Sequence, residues 1–245
     1  MENRLAMSDK IQFDCFPGIQ CFTQCCRDVN IMLTPYDVLR LKNALGMSSE
    51  DFLDKHTIIL YKEKKLLPIV MLKMQEGKDK RCPFVSNQGC KVYENRPWAC
   101  RIFPLSPNED GSYKIIADKS RCLGLKAEKK WTVSEWLLEQ GVPEYDYVNR
   151  KFSEITDPLK TLEKRIENPR IQDMLLMALY NLDKFREFII TSSFLQKFEL
   201  SLSKIQYILA SDMQLLMLGL DWIKFSLFGH KTLKLRKKKS KTKNE

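Results

Sequence analysis

Polar and apolar positions divide the 245-residue chain into two unlike halves. After a polar opening, Leu33-Thr34-Pro35-Tyr36-Asp37-Val38-Leu39-Arg40-Leu41 predicts a helix: Thr34 can cap it, Pro35 fits its first turn and Asp37 is a capping-box acid. Gly46 should end that helix, and Ser48 with Asp51 repeats the cap signal for a second short one carrying Phe52 and Leu53. Leu66 to Met74 is a short apolar, partly β-branched run and reads as a strand. Residues 82–122 are rich in Pro, Gly and Asn and little in them reads as helix, while Asn108-Glu109-Asp110-Gly111 predicts a hairpin turn before Tyr113 to Ala117. Beyond Trp131 the period becomes helical. A short helix is expected over Thr132 to Gln140, then a long one opening at Asn168-Pro169 with Ile171, Met174, Leu175, Ala178, Leu182, Phe185 and Ile189 on one face. Two more are expected near Phe198 to Leu209 and Met213 to Phe228. The last is strongly apolar, but Asp221 and Lys224 interrupt it and it is too short to span a membrane, so no transmembrane segment is expected. The fold class that follows is α+β, mostly helical: a loop-rich region with short strands over residues 1–125, then a helical region over 126–230.

Charge adds a third segment. Of the formal net charge of +10, eight cations and one anion lie beyond His230, which leaves +3 for residues 1–230. The basic character belongs to a tail, residues 231–245, whose composition cannot bury a core and which is expected to be disordered. It supplies no specific nucleic-acid surface, because it carries almost no aromatic residues to stack on bases. Weak, salt-sensitive contact with an anionic surface is its functional alternative.

Cysteine usage changes the picture most. All eight cysteines lie between Cys15 and Cys122, and Cys15, Cys21, Cys25 and Cys26 crowd one short segment. Met1 to Lys10 is polar and carries no secretory signal, so a cytoplasmic setting is expected, where clustered thiols bind metal or do redox work rather than form disulfides. Thiolate is a soft ligand suited to zinc and to iron, including iron-sulfur clusters, and each such site usually takes four. Cys15, Cys21, Cys25, Cys26, Cys82, Cys90, Cys100 and Cys122 are the candidate ligands, enough for one site with spares or for two. His56 and His230 have no finger spacing, and His56 reads as a surface or boundary residue. Arg27, Arg81, Arg101 and Arg121 each flank a cysteine, where a cation would lower a thiol pKa. Arg96-Pro97 reads as a turn that holds Cys100, with Arg96 bonding carbonyls or a carboxylate. Asp37 reads as a cap partner, and Trp98, Trp131, Trp136 and Trp222 as packing anchors.

These residues carry a resemblance. Cys21-x3-Cys25-Cys26-Arg27, Leu33-Thr34-x2-Asp37, Cys82-Pro83-Phe84 and Cys90-x-Val92-Tyr93-x2-Arg96-Pro97-x2-Cys100-Arg101-x-Phe103-Pro104 are similar to the YkgJ-type cysteine cluster (CxxCxxCC) family over about residues 12–125. Leu179 through Gly229 resembles the helical extension of longer bacterial members. The family pattern opens CxxCxxCC, whereas here five residues separate Cys15 from Cys21 and three separate Cys21 from Cys25; Cys21, Cys25 and Cys26 match more closely. The resemblance implies chelation of zinc or iron. A related cluster occurs in flagellin lysine N-methylases, which implies a protein-modifying enzyme as an alternative, yet no glycine-rich turn of the S-adenosylmethionine type is present. A zinc-folded module that binds a protein partner is the third reading.

Overall fold

The computed structural model describes residues 4–63, 65–162 and 168–237. The chain splits into two compact units, Met1–Leu60 with Ile69–Arg150, and Tyr61–Pro68 with Lys151–Glu245.

In the first unit the elements run β1 (Lys10–Gln12), α1 (Pro35–Ala44), α2 (Ser49–His56), β2 (Thr57–Leu60), β3 (Ile69–Leu72), β4 (Val85–Ser86), β5 (Gly89–Cys90), α3 (Trp98–Ile102), β6 (Leu105–Pro107), β7 (Tyr113–Ile115), β8 (Lys130–Thr132) and α4 (Val133–Glu139). α5 (Val142–Leu162) begins here and carries the chain into the second unit. The strands form four separate antiparallel pairs, β1 with β8, β2 with β3, β4 with β5 and β6 with β7. Isolated two-stranded ribbons are marginal in water, so their stability must come from what they pack against.

Capping decides where the helices start, as expected. Thr34 and Asp37 form a complete capping box on α1, Ser48 accepts the Asp51 N–H at the start of α2, and Thr132 and Glu135 form a second box on α4. Gly46 follows α1 with φ of 64°, and the Asn108–Gly111 turn joins β6 to β7. One core of this unit gathers Ile11, Phe13, Ile102, Leu105, Val133, Trp136, Leu137 and Val142, with Cys122 and Trp98 packed against it. Val38, Leu41, Phe52, Leu53, Val70, Leu72 and Phe84 are also buried in this unit. His56 is the boundary residue expected, between the rings of Phe52 and Phe84 at 5.5 and 5.1 Å.

The second unit is helical: α6 (Pro169–Leu179), α7 (Leu182–Thr191), α8 (Phe194–Lys197), α9 (Leu202–Ala210) and α10 (Asp212–Phe228). The single long helix expected from Asn168 breaks into α6 and α7, because Asn181 takes the N-cap position and accepts the Lys184 N–H. The expected stripe survives the break, with Leu175, Ala178, Leu182, Phe185 and Ile189 all buried. Phe185, Phe188 and Phe194 surround Trp222 at 5.5, 5.2 and 5.8 Å, an aromatic centre worth about 0.5–1.5 kcal/mol per ring pair beyond its buried area. Among the described residues no helix is long and apolar enough to cross a membrane.

The first residues of the basic tail depart from the expected disorder. Leu235 pairs with Phe198, the Arg236 N–H donates to Lys197 O at 2.8 Å, and the Thr232 hydroxyl donates to Asp221 O at 2.6 Å. Backbone pairing needs no apolar content, which is why composition missed it. Residues 238–245 lie outside the described residues.

Gly219 fixes the approach of α10 to α6, because a Cβ there would overlap Ala178 O. Gly219→Ala is expected to destabilise the chain by roughly 1–3 kcal/mol through overpacking. Urea denaturation measures this, and an unchanged midpoint would show that the helices do not meet this closely.

Candidate metal centre

All eight cysteines lie in the first unit, and all are free thiols. They are delivered by loops, one 3-10 turn, one strand end and one short helix, so backbone pairing has to hold them together. Cys25 and Cys26 sit in a 3-10 turn, Gln24–Cys26, entered through Thr23 at φ of 64°. A β-branched residue in the left-handed region is strained. Past the turn, Arg27 bridges to Arg81, the Cys82 N–H donates to Cys26 O at 2.8 Å, and the Asp28 N–H donates to Lys80 O at 3.0 Å. This brings Cys82 beside Cys26. Cys82 leads into the β4–β5 hairpin, in which Val85 is registered against Cys90. Gly89 stands at φ of 112° with the Phe22 ring 3.2 Å from where a Cβ would lie, so the turn before Cys25 packs directly on the hairpin.

The other end closes on Cys122. The Leu123 N–H donates to Cys21 Sγ at 3.3 Å, and the Asp14 N–H donates to Gly124 O at 3.1 Å. Glycine is the one residue type that fits at position 124, because a Cβ would lie 2.6 Å from Asp14 O.

Cys100 is placed by Asp37. One oxygen of this buried carboxylate accepts the Thr34 N–H at 2.8 Å and closes the α1 box; the other accepts the Trp98 N–H at 2.8 Å and starts α3. Arginines brace the same loop. Arg101 donates to the carbonyls of Arg96, Gln140 and Glu94, and its guanidinium lies 4.5 Å from the Tyr145 ring centre. Arg96 donates to Tyr93 O and to Gln140 Oε1, the carbonyl-holding turn that the sequence suggests. Arg40 ties Asn95 to Glu144 at 2.9 and 2.7 Å, and Trp98 Nε1 donates to Asp146 at 2.7 Å.

The expected alliance of arginine with thiol is rearranged. Arg101 is spent on carbonyls and Arg27 pairs with Asp79 at 2.7 Å, while Arg96, which flanks no cysteine, opposes the burial that raises Cys90. Asn95, Gln140 and Glu144 also position the loop, and no local spacing announces them, since their partners lie 44 to 104 residues away.

Electrostatics shows what the thiols lack. Burial, then the Cys25, Cys21 and Cys122 sulfurs, pushes Cys15 up to about 11. Burial, then Cys82 and Asp37, pushes Cys100 up, and the hydrogen bond with Cys25 holds the Cys26 proton in place. That same bond lowers Cys25 to about 7. Burial also raises Cys82, Cys90 and Cys122, opposed by N–H groups of Phe84 and Val85, of Val92, and of Leu125 and Gly124 respectively. N–H groups turned toward a sulfur favour its thiolate. Among the described residues no three His, Cys, Asp or Glu side chains stand close enough to share an ion. The donor chemistry fits zinc or iron: unbridged sulfurs, polar N–H groups beside them, and mutual repulsion that a cation would relieve.

The first unit is thus a thiol-rich domain assembled by loop pairing. Residues 14–130 match the CxxCxxCC family model, described as "Putative zinc- or iron-chelating domain". No curated protein and no solved structure matches the chain.

Asp37 gives a pH test. Burial raises it to about 6 against the bonds from Trp98 and Thr34 and the charge of Arg101, all of which lower it. Its folded value lies above the ordinary 3.8, so the folded chain binds this proton more tightly than the unfolded chain. Stability from this group is greatest below pH 3.8 and is lost as pH rises through 6. Relative to Asp37→Asn, the metal-free protein should therefore lose about 2 kcal/mol between pH 4 and 7. Urea midpoints across that range measure it, and a constant difference between the two proteins would refute it.

Proposed function

We propose that the protein is a metal-chelating protein that holds zinc or iron through thiolates of Cys15, Cys21, Cys25, Cys26, Cys82, Cys90, Cys100 and Cys122. One observation carries this reading: eight free thiols from separate segments are brought into one unit by backbone pairing, and none is joined in a disulfide. The family description supports the same chemistry. A tetrathiolate ion supplies a cross-link between loops in the case of zinc, and electron transfer as well in the case of an iron-sulfur cluster.

The residues of the chain do the rest. Asp37 and Arg101 hold the Cys100 turn, Arg96 favours the Cys90 thiolate, and the N–H groups near Cys82 and Cys122 accommodate negative sulfur. A region with only two-stranded ribbons gains most from such a cross-link, because binding free energy becomes folding free energy.

Elemental analysis of untagged protein purified without oxygen tests the reading. Near-stoichiometric zinc or iron is expected, with thiol reactivity masked until a chelator is added; a brown protein marks an iron-sulfur cluster and a colourless one zinc. Metal below about 0.2 equivalents, with every thiol reactive, would overturn it.

A further inference from the structure

We infer that the outer face of the sheet formed by β2, β3 and residues 31–33 docks on an anionic membrane surface.

The register defines the face. β2 pairs with β3 so that Ile58 stands opposite Met71 and Leu60 opposite Ile69. Along the other edge of β3, Met32 bridges to Met71, the Leu33 N–H donates to Val70 O at 2.8 Å and the Leu72 N–H donates to Ile31 O at 2.9 Å, so residues 31–33 form a third antiparallel row. Side chains alternate across such a sheet. Thr57, Val70, Leu72, Ile31 and Leu33 take one face and are buried. Ile58, Leu60, Ile69, Met71 and Met32 take the other, where Met32 is 65% exposed, Ile58 45% and Leu60 39%, with Ile69 and Met71 half-buried. An antiparallel sheet with one face in the core ordinarily carries polar residues on the other. Here all five positions are aliphatic or thioether. Contiguous exposed apolar surface marks a docking site, unlike exposed apolar residues scattered singly.

Size, composition and charge select the occupant. With rows about 4.8 Å apart and about 3.4 Å per residue, the face is on the order of 10 Å by 10 Å. A stable interface between proteins, a second copy of this chain included, needs about 800 Å² from each partner. The face also lacks the Trp, Tyr and Arg anchors on which protein interfaces depend. A bilayer sets no such minimum: apolar side chains enter the boundary between headgroups and acyl chains, and binding grows with inserted apolar area and with attraction between cations and anionic lipid. Charge points the same way. None of the five side chains is charged, and the next residue to alternate onto this face along β3 is Lys73, which is exposed and whose N–H donates to His56 O at 2.8 Å. The chain as a whole carries a formal charge of +10, which draws it toward a negative surface.

Co-sedimentation of the full chain tests the inference, comparing phosphatidylcholine vesicles with vesicles that also contain phosphatidylglycerol, at low and at physiological salt. Binding is expected on the anionic vesicles and should weaken with salt. Met32→Gln combined with Ile58→Thr should weaken it at least about tenfold, through lost apolar insertion. Leu60→Thr should weaken it in the same sense and gives an independent reading, and Lys73→Gln should cost about fivefold. Circular dichroism checks that each variant keeps the fold; no cysteine is altered, so the outcome is independent of chelation. A chain ending at Lys237 should bind less tightly yet keep its dependence on Met32 and Ile58. Binding that disappears with that truncation and is indifferent to Met32, Ile58 and Leu60 would assign the contact to the tail alone and overturn the inference. No binding to anionic vesicles would overturn it too, as would a dimer in sedimentation velocity that Met32→Gln with Ile58→Thr dissociates, since a second copy would then cover the face.

Discussion

The cysteine unit hangs on one buried carboxylate. Asp37 sits at the third position of α1, where a capping acid is commonplace, yet its second oxygen reaches 61 residues along the chain to start the helix that carries Cys100. Charge in a buried site is costly, and burial does raise this carboxyl to about 6. Two backbone N–H groups and the nearby Arg101 offset part of that cost. An apolar side chain would avoid the cost but would leave those N–H groups unbonded, at about 1–3 kcal/mol for each buried donor. Arg101 then fastens the same turn to the loop between α4 and α5 through Gln140 O, so one carboxylate and one guanidinium fix both sides of a five-residue helix too short to hold itself.

The sulfurs are held less firmly. Their order comes from backbone contacts of neighbouring residues, and no three of the described ligand groups stand close enough to share an ion. Buried thiols keep their protons, and thiolates repel one another. Cys25 is the exception at about 7, stabilised by the Cys26 thiol.

Much of the fold was legible in the sequence because it is locally encoded. Thr34, Ser48, Thr132 and Asn168 cap helices where their positions suggest, and the buried stripe from Leu175 to Ile189 keeps its period through a break that Asn181 imposes. α5 was not legible. It is 21 residues long, mixes polar and aromatic side chains and contains Pro158, so neither its pattern nor its composition advertises a helix. In the candidate site the cysteines announced themselves by count and crowding, whereas two arginines beside them in sequence serve other partners, Arg101 the carbonyls of its own loop and Arg27 the Asp79 carboxylate. Flanking residues on an irregular loop project in unrelated directions, and long guanidinium arms satisfy whichever carbonyls surround them.

The two units solve the same problem of stability by different means. The helical unit has a dense aromatic centre on Trp222 and a glycine that lets two helices meet, which is ordinary core packing. The cysteine unit spreads its described strands over four separate ribbons. Loops joining such ribbons cost conformational entropy that thin cores repay only in part. Paired loop contacts at Cys26 and Cys82, and at Cys21 and Leu123, mark the places where further cross-linking would stabilise the most, since each joins segments distant in sequence. The cysteines stand at or beside those joins, so the thiols crowd where the fold most needs support.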